Sequence, residues 1–170
     1  FPTRRSSDLE ALEMLFNDGA TKVATLSETR IADLLNNRPE FGELVGPYRD
    51  STVHYGGDYR TFDAAKFLDQ VESDGVDGII AHLEVGHSIV AELNRRRGVS
   101  AYSPRLIVTV DSSYLDIDED YLEAPELLGY LSFDSSAVFS QLFEELPEYL
   151  EDKKSSVTRL EFDVSITRIR

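Results

Sequence analysis

The sequence has no cysteine, no tryptophan and a single methionine among its 170 residues. Without cysteine there is no disulfide framework and no thiolate to act as nucleophile or metal ligand, and the redox compartment stays open. Basic residues are scarce: 17 Lys and Arg stand against 32 Asp and Glu, a formal net charge of −15. A surface this negative repels phosphate backbones, so this segment is not expected to hold nucleic acid itself. No apolar run reaches the roughly 18 residues that would mark a membrane-spanning helix. The motifs G-x-S-x-G, G-x-G-x-x-G and the P-loop do not occur, and Tyr55-Gly56-Gly57-Asp58-Tyr59 is too short to cradle a phosphate. What is present is an apolar content of 41%, enough for one domain of this length to bury a core.

The first nine residues, FPTRRSSDL, stand apart. Read back through possible codons, they resemble the tail of a common short-read sequencing adapter over their whole length, in preference to a basic transit-type leader. Residues 1–9 are therefore expected to be foreign to the fold and excluded from it, with native sequence expected upstream. They carry two Arg and one Asp, so removing them changes the net charge from −15 to −16.

From residue 9 onward, helix and strand patterns alternate. Leu9, Leu12, Met14, Leu15 and Phe16 form one helical stripe, stopped by Asn17-Asp18-Gly19. A strand at residues 22–26 follows, then a helix over residues 28–35 with Ser27 as its N-cap. A second strand is expected at Thr52–Tyr55. Thr61 can cap a helix whose Ala64, Phe67, Leu68 and Val71 sit at i, i+3, i+4 and i+7. Val76–Ala81 reads as a strand, and Glu84–Arg97 as a helix with Val85, Ile89, Val90 and Leu93 on one face. Arg95-Arg96-Arg97-Gly98 places cations at that helix's negative end and a Gly stop after it. Leu106–Val110 is a continuous apolar run, the mark of a strand covered on both sides. Strands separated by helices predict an α/β fold with a four-stranded parallel sheet over residues 22–110. Farther on, Phe139, Leu142, Phe143, Leu146 and Leu150 make a helical stripe, and Leu160, Phe162, Val164 and Ile166 alternate with polar residues as a half-buried strand.

Two clusters invite a metal and neither fits. His82, Glu84 and His87 lack the H-E-x-x-H spacing, because His82 falls at a strand end while only Glu84 and His87 share a helix face. Asp116, Asp118 and Asp120 open like a calcium loop, but Tyr121 stands where that loop needs Gly and Leu127 where it needs a bidentate Glu. No metal and no cofactor is expected.

In open parallel sheets, ligands bind beyond the carboxyl ends of the strands. Read in order, the segments ALEMLFNDGATKVATL, NNRPEF, YGGDYRTFDAAKFLDQ, DGVDGIIAHLEVGHSIVAELNRRRGV, PRLIVTVDSSYLDI and APELLGYLSFDSSAVFSQLFEEL resemble the effector-binding domain of the LacI/GalR family of bacterial regulators. That resemblance implies a Rossmann-like, periplasmic-binding-protein-like type I fold. Residues 10–131 would be its C-terminal lobe, and residues 132–170 a crossover helix and terminal strand leading to a second lobe or its remnant. It implies a sugar-like small-molecule effector held by Asp111, Tyr59 and Arg38, with Asn37 as the alternative to Arg38 because RPEFG departs from the family's pattern. Asp111 would accept hydrogen bonds from neighbouring hydroxyls, and Tyr59 would stack on the ligand. Leu83-Glu84 stands where the family has Asn-Asp, which points to an altered effector. The family further implies a cytoplasmic, non-enzymatic homodimer that meets DNA only through a missing N-terminal domain. A periplasmic sugar-binding protein of a transporter shares the fold. An enzyme on a Rossmann-like sheet using Glu84, His87 or Asp111 is the reading from another class.

Overall fold

The computed structural model describes residues 3–37, 43–111, 119–133 and 164–170. They build a mixed, mostly parallel six-stranded sheet with helices against both faces. The strands are β1 (Val23–Ser27), β2 (Thr52–Gly56), β3 (Gly78–His82), β4 (Arg105–Asp111), β5 (Leu127–Phe133) and β6 (Val164–Arg168). The helices are α1 (Thr3–Asn17), α2 (Thr29–Asn37), α3 (Ala64–Ser73), α4 (Leu83–Arg96) and the single turn α5 (Glu119–Leu122), with a 3₁₀ helix at Glu43–Ser51. Among the described residues no helix is long and apolar enough to cross a membrane.

The sheet order is β2-β1-β3-β4-β5-β6. β1 to β5 run parallel and β6 returns antiparallel to β5. The four expected strands are therefore present and parallel. β5, for which no strand was expected, continues the parallel set across residue 131. β6, the expected terminal strand, joins this same sheet beside β5. Gly129 lets it approach, since a Cβ there would lie 2.4 Å from the Thr167 carbonyl oxygen. The stripe at residues 139–150 lies outside the described residues, as do Leu160 and Phe162.

Strand alternation sends side chains to two cores. On one face Ala24, Leu26, Ile79, Leu106, Val108 and Val110 meet Phe67, Leu68 and Val71 of α3 and Val85, Ile89, Val90 and Leu93 of α4. On the other, Val23, Ile80, Ile107 and Leu131 meet Ala11, Leu12 and Leu15 of α1. α1 begins six residues before the apolar stripe that announced it, so residues 3–8 continue the helix. Two caps differ from expectation. Asp63, not Thr61, caps α3 by accepting from the Lys66 N–H at 3.2 Å, because the helix starts only at Ala64. Ser27 does not cap α2: it is the last residue of β1, and α2 starts at Thr29.

Candidate functional site

β1 is followed by α2 and then by β2 on one side of it; α3 carries the chain across to β3 on its other side. The winding reverses at β1, and at such a reversal the connections at the carboxyl edge part and leave a crevice. Register places the strand ends that meet there. Ser27 pairs with Gly56, Thr25 with Ile80, and His82 with Thr109. Ser27, His82 and Thr109 thus occupy one row on the same face, with Asp111 one pleat beyond Thr109 as the last residue of β4.

The loop after β2 is held to this edge: the Gly57 N–H donates to the Ser27 carbonyl at 2.9 Å, extending the ladder past the strand. Asp58 Oδ1 accepts from the Arg60 N–H at 2.9 Å, which shapes the turn carrying Tyr59. The Tyr59 and His82 rings stack, with centroids 5.6 Å apart and planes 18° from parallel. His82 also caps α4, its Nδ1 accepting from the Glu84 N–H at 3.3 Å. In the neutral ring that leaves the proton on Nε2, a donor. Ser27 is 4% exposed and its Oγ, wholly buried, has no hydrogen-bond partner. Below this row Thr25 Oγ1 lies 2.6 Å from His54 Nδ1, and burial holds the His54 ring below its ordinary pKa.

Of the residues picked from sequence, Tyr59 and Asp111 both lie at the carboxyl edge. Arg38 lies outside the described residues. Asn37 ends α2, which runs back from that edge; the Asn36 side-chain N–H donates to the His54 carbonyl at 2.9 Å, so the last turn of α2 sits beside the middle of β2. Glu84 is exposed in the first turn of α4. His87 lies against Tyr121, ring centroids 4.5 Å apart. Among the described residues no three His, Cys, Asp or Glu side chains are grouped to hold a metal ion.

Sequence reasoning missed Ser27, His82 and Thr109 as members of one row. The available signal was positional: each sits at or near the end of an apolar strand run, in TLS, IAH and VTVD. What the edge offers chemically is an imidazole stacked on an aromatic ring at the end of β3, with the Ser27 and Thr109 hydroxyls at the ends of the strands on either side. No protein-family model matches the chain. No curated protein and no solved structure matches it either.

Proposed function

We propose that this chain is the ligand-sensing domain of a bacterial transcription regulator of the LacI/GalR type, and that its effector is a small hydroxylated molecule bound at the carboxyl edge of the sheet. The observation that carries this reading is the reversal of winding at β1, across which the loop after β2 meets the end of β3 through the Tyr59 and His82 ring pair, one strand from the end of β4. Two-lobed closure of periplasmic-binding-protein type, a homodimer, and contact with DNA through a domain outside these residues belong to the same proposal. In it, Asp111 takes hydrogen bonds from ligand hydroxyls and Tyr59 supplies apolar ring surface, while Leu83 replaces a polar contact and biases the site away from simple sugars.

The test is a thermal-shift and calorimetric screen of the whole chain against sugars, amino sugars, sugar phosphates and nucleosides. A ligand that raises the midpoint is then assayed with Tyr59→Ala and Asp111→Asn. Each variant is expected to weaken binding about tenfold, the equivalent of about 1.4 kcal/mol. Binding unaffected by both variants would place the ligand elsewhere and defeat the reading.

A further inference from the structure

The ring of His82 makes two contacts at once. As the N-cap of α4 it presents Nδ1 to the Glu84 N–H at 3.3 Å, and its face lies against Tyr59 with planes 18° from parallel. Histidine is not among the residues that favour an N-cap: Ser, Thr, Asp and Asn bring an oxygen to the same N–H on a shorter side chain. A cap alone does not call for an imidazole here. The second contact does call for a flat ring, since offset stacking needs an aromatic face.

Tyr59 stands inside a turn that is fixed on both sides. On one side the Gly57 N–H donates to the Ser27 carbonyl at 2.9 Å, and on the other Phe62 packs on Phe67 of α3, ring centroids 5.6 Å apart. Within the turn, the Thr61 N–H donates to the Asp58 carbonyl at 3.1 Å and the Arg60 N–H to Asp58 Oδ1 at 2.9 Å. These bonds shape the turn without reaching across to β3, whereas the stack on His82 does reach it. The imidazole is one rigid plane. Aiming Nδ1 at the Glu84 N–H orients the face on which Tyr59 lies, and tilting that face takes Nδ1 off the helix. α4 is itself held close against β4, where Gly86 leaves no room for a Cβ beside Val108.

We propose that His82 is the positioning residue of the effector site: it sets the Tyr59 ring at the carboxyl edge and ties the turn at residues 57–61 to the first turn of α4, so that the two respond together. Only the use of the Tyr59 ring as a ligand platform rests on the effector reading; its placement by His82 does not. A ligand that displaces the Tyr59 ring is then felt at the start of α4.

Hydrogen exchange and amide spectra of the whole chain, with no ligand added, read the two contacts separately. His82→Asn keeps a cap acceptor and removes the ring; His82→Phe keeps a ring and removes the acceptor. His82→Asn is expected to shift the Tyr59 ring protons and to speed exchange at the Arg60 and Thr61 amides about twofold to tenfold, the equivalent of one lost aromatic pair, while the Glu84 amide keeps its rate. His82→Phe is expected to speed exchange at Glu84 about fivefold, the equivalent of one lost cap, and to leave Arg60 and Thr61 near the parent rates. Tyr59→Ala tests the coupling from the other side: it should speed exchange at Glu84, and Tyr59→Phe, which retains the ring, should restore the parent rate. Unchanged Tyr59 ring protons and turn amides in His82→Asn would overturn the positioning role. So would a parent-like Glu84 rate in Tyr59→Ala, or an equal acceleration across the whole sheet in every variant, which would mark general destabilisation. Should the expected pattern hold while Tyr59→Ala leaves the binding of every screened molecule intact, the effector reading fails and the positioning role stands.

Discussion

Substituting Gly86 by Ala probes how closely α4 must approach the sheet to hold the His82–Glu84 turn in place. A Cβ at residue 86 would lie 2.5 Å from Tyr121 Oη and 2.8 Å from Val108 Cγ1, both well inside van der Waals contact. Val108 is fully buried in β4, so that conflict can be relieved only by moving the helix. Ala is favoured over Gly in a helix by about 1 kcal/mol, which opposes the effect. Overpacking of a tight core costs about 1–3 kcal/mol, and with two contacts the upper half of that range applies. The net expectation for Gly86→Ala is a loss of about 1–2 kcal/mol. Tyr121→Phe separates the two contacts. The Tyr121 hydroxyl is buried without a partner, and burial drives its pKa well above the ordinary value. Removing it relieves an unsatisfied group, whose burial costs about 1–3 kcal/mol, so Tyr121→Phe should stabilise. In the Phe background Gly86→Ala should cost about 1 kcal/mol less, because only the Val108 contact remains. Urea unfolding followed by circular dichroism of the four proteins closes the cycle. Gly86→Ala as stable as the parent, or Tyr121→Phe less stable by more than about 1 kcal/mol, would refute the packing described for α4.

Three further outcomes are expected. Gly129→Ala would set a Cβ 2.4 Å from the Thr167 carbonyl and 3.3 Å from Arg168 Cα, both backbone atoms, so hydrogen exchange should show lost protection at residues 164–168 while β1 to β4 keep theirs. Asp77→Ala removes the acceptor that binds the Thr21 and Lys22 N–H groups and the Thr21 hydroxyl, tying β3 to the entry of β1, and should lower the unfolding free energy by about 1–2 kcal/mol. Glu92 accepts from Arg95 Nε at 2.8 Å and Arg96 Nε at 2.9 Å, and these bonds hold its carboxyl down to about 2, below the ordinary value of about 4.3. A lowered folded pKa gives stability that is present above about 4.3 and is lost as pH falls toward about 2, so Glu92→Gln should flatten the acid limb of stability over that window.

The parallel sheet was legible because its strands are apolar runs covered on both faces, separated by helices with clear stripes. β5 was not, because LLGYLSF follows Pro125 and contains Gly129; the glycine reads as a breaker until the Thr167 carbonyl is seen to need its space. The start of α1 escaped as well, since residues 3–8 carry no apolar period. Site residues were legible only in part. Tyr59 and Asp111 follow from the rule that strand ends gather on one edge, whereas the Asn37/Arg38 segment was grouped with them by sequence order alone. Ser27 was read as a cap because Ser before a helical pattern does cap helices; only the strand register shows that it closes β1 and turns its hydroxyl into the protein. His82 joins the Tyr59 ring through a contact across 23 residues that no local pattern predicts.

The account stands on the loops after β2 and β3 meeting across the end of β1. Because the chain has no cysteine, Asp58→Cys combined with Glu84→Cys offers a unique pair of thiols at two exposed positions. Two strand spacings separate them, about 10 Å. A bis-maleimide of that reach should join them within one molecule at high yield, and a much shorter one should not. Efficient labelling of each single variant without any intramolecular link in the pair would mean that these loops do not share an edge, and the crevice would not exist.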